Sequence, residues 1–150
     1  MTLVVDASVG LKWVLEEAET PLARALLEGS ERVIPPDFWL GEACNVCWVQ
    51  VRRRLWSDAD ARFAFERLQR LVPPRLTFGM NLHAAALEIA TAVDHSPYDA
   101  LYAAFAMAVG ARAVVVSDAP FIRAIRRHPD PDVARMVLPL DEWAREQGLA

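Results

Sequence analysis

The chain predicts a three-layer α/β/α fold built around a central, mainly parallel sheet. Three observations carry that prediction. The candidate strands are short continuous apolar runs rather than alternating ones, helix patterns with legible starts separate them, and two of the runs end abruptly in aspartate, "LVVD" at Asp6 and "VVVSD" at Asp118. Continuous apolar strands suit a parallel sheet covered on both faces. Strands alternating with helices are the pattern of an α/β architecture.

The strands expected are Leu3 to Val5, Arg32 to Ile34, Leu76 to Phe78 and Ala113 to Val116, with a weaker one at Met136 to Leu138. Helix starts are marked by local chemistry. Thr20-Pro21 reads as a cap followed by proline at the first helical position, Ser57-x-x-Asp60 as a capping box, and Asn81 precedes "LHAAALEIATAV". Ser96-Pro97 opens "YDALYAAFAMAV", which Gly110 closes, and Asp118 can cap the helix entered at Ala119-Pro120. A helical excursion is expected between Asp37 and Val72. No repeat, low-complexity run or linker divides the sequence, so a single domain over residues 1–150 is the simplest organisation.

At 150 residues the chain is long enough to bury roughly two-thirds of its unfolded surface. Apolar residues make up 54%, yet no uninterrupted run approaches the ~20 residues of a membrane helix. The N-terminus enters a strand without a basic segment, apolar core or cleavage site, so a soluble cytoplasmic protein is expected. The net charge of −4 argues against a chain that merely coats nucleic acid. Even so, 15 of the 16 basic residues are arginine, clustered at Arg52-Arg53-Arg54 and at Arg123, Arg126 and Arg127. Arginine's planar fork suits phosphate; solvated helix faces are the plainer reading of each cluster.

Cys44 and Cys47 form a CxxC. A zinc site needs two further ligands, and His83, His95 and His128 offer none at metal-ligand spacing. The pair also lies inside the apolar run "FWLGEACNVCWVQV", so two buried structural thiols are expected.

The acids form the more informative set. In a parallel sheet all carboxyl ends lie along one edge, so Asp6 and Asp118 reach the edge where open α/β folds bind ligands. Glu42 sits early in the helix after the second strand, and Asp99 in the first turn of the helix capped by Ser96. Taken singly, Asp6 and Asp118 read as caps and Asp99 as a complement to its helix dipole. Glu42 has only apolar helical neighbours, Phe38, Trp39, Ala43, Val46 and Cys47, with Asn45 alone sharing its face, which suggests a polar pocket beneath. Four converging carboxylates would repel one another. A divalent cation resolves the repulsion, and an all-oxygen donor set selects magnesium or manganese, ions suited to phosphate chemistry. Ser8 and Ser117, beside the strand-end aspartates, are candidate orienting groups.

The stretches "VVDASVGLKW", "GEACNVCW", "YDALYAAFA" and "VVVSD" resemble, in order and spacing, the four motifs of PIN-domain ribonucleases, particularly VapC-type toxins of toxin–antitoxin pairs. Matched position by position, the resemblance implies that Asp6, Glu42, Asp99 and Asp118 are the catalytic, metal-binding quartet, with Asn45 a polar companion of the glutamate. Serine in "VSD" stands where threonine is common and keeps the hydroxyl. The resemblance further implies a PIN-like fold, metal-dependent hydrolysis of RNA with Mg2+ or Mn2+, a homodimer, and a cognate VapB-type antitoxin whose tail covers the acids. The five tryptophans, Trp13, Trp39, Trp48, Trp56 and Trp143, are compatible with interfaces as well as core.

Two other readings can be set against it. A phosphatase or receiver domain phosphorylated on Asp6 would need a second aspartate where Ser8 stands, or an aspartate pair with a later lysine, and Lys12 is the only lysine. A catalytically idle PIN-like scaffold binding RNA or protein is the alternative from another class, and the intact quartet argues against it.

Overall fold

The computed structural model describes residues 1–149. Its elements follow the chain as β1 (Thr2–Val5), α1 (Ala7–Gly10), a short 3-10 turn (Leu11–Trp13), α2 (Thr20–Glu28), β2 (Arg32–Ile34), α3 (Trp39–Arg52), α4 (Asp58–Leu71) and α5 (Leu82–Val93). They continue as α6 (Pro97–Ala108), β3 (Ala113–Val116), α7 (Ala119–Arg126), α8 (Pro131–Ala134), β4 (Val137–Pro139) and α9 (Leu140–Glu146).

The sheet has four strands in the order β2-β1-β3-β4, and each pairing is parallel. The two central strands are the apolar runs "LVV" and "AVVV", and their side chains are buried throughout on both faces. Helices flank the sheet: α2 packs with α9, and α5 packs with α6 and α7. One apolar cluster runs from Leu3 to Ala144 through the sheet and both helical groups. Sheet order and parallel register bring the ends of β1 and β3 side by side, with Val5 opposite Val115.

Several expected devices are present. Ser57 and Asp60 form a reciprocal capping box at the start of α4. The Ser96 side chain accepts from the Tyr98 N–H, and the Asp118 side chain accepts from the Phe121 N–H. Gly110 follows α6 in the left-handed region at φ +66°, where glycine carries no Cβ penalty.

Other expectations are corrected. Leu76 to Phe78 is not a strand. Only the bridge between Pro36 and Arg75 forms there, Thr77 bonds instead to the Asp37 carboxylate through its hydroxyl and its N–H, and Phe78 is 99% exposed. A short apolar run becomes a strand only with a neighbour to pair with. The last strand is Val137–Pro139, one residue later than expected. Thr20 is the first helical residue of α2 rather than its cap, and its hydroxyl bonds to the preceding loop, donating to the Leu15 carbonyl and accepting from the Glu17 N–H. Asn81 precedes α5 without a side-chain capping bond. Of the two thiols only Cys47 is buried; Cys44 is exposed, because α3 turns one face to the core and positions three apart straddle its edge.

Candidate active site

Asp6 is the first residue beyond β1 and the N-cap of α1. Its backbone N–H still belongs to the sheet, donating to the Val115 carbonyl at 3.1 Å. The side chain is 5% exposed. Its Oδ2 accepts from the Ser8 N–H at 3.1 Å and from the Ser8 hydroxyl at 2.5 Å. Burial raises the Asp6 pKa to about 7, Ser8 opposes the rise, and the charges on Glu42 and Asp99 add to it. A carboxyl of that kind holds its proton through much of the acid range unless a cation favours its ionised form.

Ser8 also joins the two strand ends. The hydroxyl that donates to Asp6 accepts from the Ser117 N–H at 3.0 Å. Ser117 therefore contributes its backbone to this junction. Its own hydroxyl is buried and has no hydrogen-bond partner in the protein.

Glu42 lies in the first turn of α3. Its Oε1 accepts from the Tyr102 hydroxyl at 3.0 Å. Partial burial raises the Glu42 pKa, the Tyr102 bond lowers it, and the charge on Asp99 raises it. Tyr102 is itself wholly buried, and burial, followed by the charges on Asp6 and Glu42, pushes its phenol far up. It is therefore a fixed donor. Asn45, one turn beyond Glu42, is exposed on the same face, so the pocket inferred beneath this pair is supplied by Tyr102 from α6 and not by Asn45.

Asp99 stands in the first turn of α6, and its Oδ2 is 2.7 Å from His95 Nε2. Burial raises its pKa, His95 lowers it through that bond and its charge, and Asp118 raises it. The His95 ring stacks on Phe121, with an interplanar angle of 4° and centroids 6.2 Å apart. Phe121 is also the residue whose N–H donates to Asp118 Oδ1, at 3.1 Å. His95 thus connects the surroundings of Asp99 and Asp118.

The four acids come from four elements, and beside burial the charges of Glu42 and Asp99 raise the Asp6 pKa, that of Asp99 raises Glu42, and that of Asp118 raises Asp99. Each also has its own protein donor: Ser8, Tyr102, His95 or the N–H of Phe121. Among the described residues, no three His, Cys, Asp or Glu side chains stand close enough to hold a metal ion. The chemistry of the set still suits a hard cation: the donors are all oxygen, Asp6 is buried with no cationic partner among the described residues, and the Ser117 hydroxyl, on the residue before Asp118, is buried without a partner.

Tyr102 and His95 were not singled out from the sequence. Tyr102 meets Glu42 from sixty residues away, which no local spacing shows, whereas His95 lies four residues before its partner Asp99.

The family model of the PIN domain matches residues 3–127. No curated protein matches the chain by sequence. Among solved structures, the fold is similar to the crystal structure of PAE2754 from Pyrobaculum aerophilum, with a TM-score of 0.68 at 17% identity, covering 100% of this chain and 91% of that one. At that identity the likeness concerns the fold. No described helix is long and apolar enough to cross a membrane. The match over residues 3–127 spans both strand-end aspartates, Glu42 and Asp99, and by it the chain belongs to the PIN domain family, whose members are generally nucleases that act on RNA and typically bind Mg2+ or Mn2+.

Proposed function

We propose that this chain, as a single PIN domain over residues 1–150, is a VapC-type toxin: a Mg2+- or Mn2+-dependent endoribonuclease that hydrolyses RNA phosphodiester bonds. What supports the reading is the PIN-domain match over residues 3–127 together with the parallel register of β1 and β3, which sets Asp6 at the end of β1 beside the strand that leads to Asp118. Asp6, Glu42, Asp99 and Asp118 would hold the cation. What a bound Mg2+ supplies is a hydroxide nucleophile near neutral pH and charge neutralisation at phosphoryl oxygens.

The remaining roles fall to the chain's own side chains. Ser8 holds Asp6 and ties β1 to the backbone after β3; Tyr102 aims Glu42; His95 aims Asp99; and the N-terminus of α7 fixes Asp118. Such outer partners orient the ligating carboxylates. A cognate VapB-type antitoxin would silence the site by placing an arginine among the acids, where its fork compensates the charge. A homodimer completes the reading.

The test is cleavage of RNA by the purified chain with Mg2+, Mn2+ or Ca2+, beside Asp6→Asn and Asp99→Asn. Turnover with the first two ions, suppression with Ca2+ and loss in both variants are expected. Undiminished cleavage by both soluble variants would remove the acids from the mechanism. Absence of cleavage under every condition would favour the idle scaffold.

A further inference from the structure

Charge is divided unevenly along this chain. From Trp39 to Arg75, a stretch comprising α3, α4 and the residues after them, seven arginines face four acids, a net +3. The remainder carries nine basic and sixteen acidic residues, a net −7. Ion pairing sharpens the contrast. Elsewhere Lys12, Arg24, Arg112, Arg126, Arg135 and Arg145 are paired with carboxylates. In the α3–α4 arm, among the described residues, only Arg70 is paired, to Glu66 at 3.9 Å. The other arginines of the arm are exposed.

The arm also displays an aromatic ring. Trp48 is 53% exposed, and the Arg52 guanidinium lies 5.3 Å from its ring centroid. Trp48 lines a largely apolar groove between α3 and α4 whose wall includes Val51 and Phe65. Along α3, Glu42, Asn45, Trp48 and Arg52 follow at spacings of three, three and four, so they form one exposed stripe. Ten residues at ~1.5 Å each put Arg52 about 15 Å along the helix from Glu42. At the end of α3, Arg54 adopts φ +59°. Glycine is the usual residue there, and an arginine held in that region is strained.

We infer that this face of α3, from Asn45 to Arg54, is the track along which single-stranded RNA reaches the acids, with a base stacked on Trp48 and phosphates held by Arg52, Arg53 and Arg54. The inference rests on the ribonuclease reading and adds the substrate's path. Charge complementarity selects the occupant: a polyanion is repelled by the −7 remainder and attracted by the unpaired arginines. An exposed ring beside arginines without ion-pair partners combines the stacking surface and the positive charge by which proteins bind single strands without reading their sequence.

The experiment uses the full chain carrying Asp6→Asn, so that RNA is not consumed, and a fluorescein-labelled single-stranded RNA in EDTA buffer. Binding is followed by fluorescence anisotropy from about 50 to about 200 mM salt. Trp48→Ala should weaken binding by about tenfold with little change in salt slope, and Trp48→Phe should restore most of it. Arg52→Gln with Arg53→Gln should lower the slope by about 0.7 for each phosphate no longer neutralised. Arg54→Gly should raise the melting temperature by a few degrees, roughly 2–4 °C, while weakening RNA binding, so that stability and affinity move apart.

Unchanged affinity and slope in all of these variants would overturn the inference, as would absence of RNA binding by the Asp6→Asn chain itself. A Trp48→Ala effect confined to self-association in sedimentation would make the face a protein interface and likewise overturn it. The two readings fail separately: binding that depends on the arm, in a parent that cleaves no RNA, sinks the ribonuclease and keeps the track. Cleavage with binding indifferent to the arm does the reverse.

Discussion

His95 Nε2 lies 2.7 Å from Asp99 Oδ2 across the turn that opens α6, and the same imidazole stacks on Phe121, the residue whose N–H holds Asp118. One ring therefore sets the aim of one acid and braces the cap that fixes another. Outer partners of ligating carboxylates are worth ~10–100-fold in metal affinity or activity. His95→Leu should weaken Mn2+ binding by about tenfold in isothermal titration, and kcat for RNA cleavage should fall with it. His95→Gln, which keeps a donor, should recover part of both. Equal Mn2+ affinity in all three proteins would show that Asp99 needs no such support.

The buried Asp6 carboxyl ties stability to pH. Its folded pKa, about 7, lies above its ordinary value of 3.8, so the folded state binds the proton more tightly than the unfolded chain does. The contribution is fully present below about pH 3.8 and is lost as pH rises through 7. Complete loss amounts to about 4 kcal/mol. Glu42 and Asp99, also raised, act in the same direction. Glu31 acts oppositely at the acid end, because its bonds to Arg112 outweigh its burial and lower its pKa. Without metal, the melting temperature should fall between about pH 5 and about pH 8, and Asp6→Asn should flatten that fall, raise the neutral-pH value and abolish cleavage. Magnesium should stabilise the parent more than the variant. A variant with the parent's pH profile and magnesium shift would reduce Asp6 to a helix cap.

Gly10 ends α1 against the indole of Trp39. A Cβ at that position would come within 2.4 Å of Trp39 Cζ3. The indole cannot swing away, because it is fully buried and meets Trp13 edge-on at 6.1 Å. Overpacking of this kind costs about 1–3 kcal/mol. Gly10→Ala should lower the urea midpoint accordingly, whereas Gly41→Ala, where a Cβ meets nothing within 4 Å, should not destabilise the protein.

Arg112 gathers the ends of distant elements. Its guanidinium bonds Glu31 through Nε and Nη2, both at 3.1 Å, and Glu146 at 3.1 Å. Glu31 also accepts from Trp143 Nε1 at 3.3 Å. Hydrogen bonds to charged groups are worth about 1.5–3 kcal/mol when partly buried, and Glu31 and Arg112 are both shielded. Arg112→Met should destabilise the fold by roughly 1–3 kcal/mol in denaturant titration, with RNA cleavage per folded molecule unchanged, because this cluster stands apart from the acids.

Read alone, the sequence determined the backbone order and the local devices. The runs "LVV" and "AVVV" dictate buried parallel strands because nothing polar interrupts either face, and Ser57, Ser96 and Asp118 cap helices because their partners lie two or three residues away. The strand-end position of Asp6 and Asp118 was legible for the same reason. Tertiary structure alone decided which side chains meet. Leu76 to Phe78 has a strand's composition but no neighbouring strand, so it stays a loop; Asn45 shares a face with Glu42, yet it is Tyr102, sixty residues from Glu42 in sequence, that completes the pocket. Cys44 is exposed because packing, not composition, chooses which edge of α3 is covered. Local chemistry acts over a turn of chain, whereas the raised pKa of Asp6 and its coupling to Glu42 and Asp99 exist only where folding removes water and brings separate elements together.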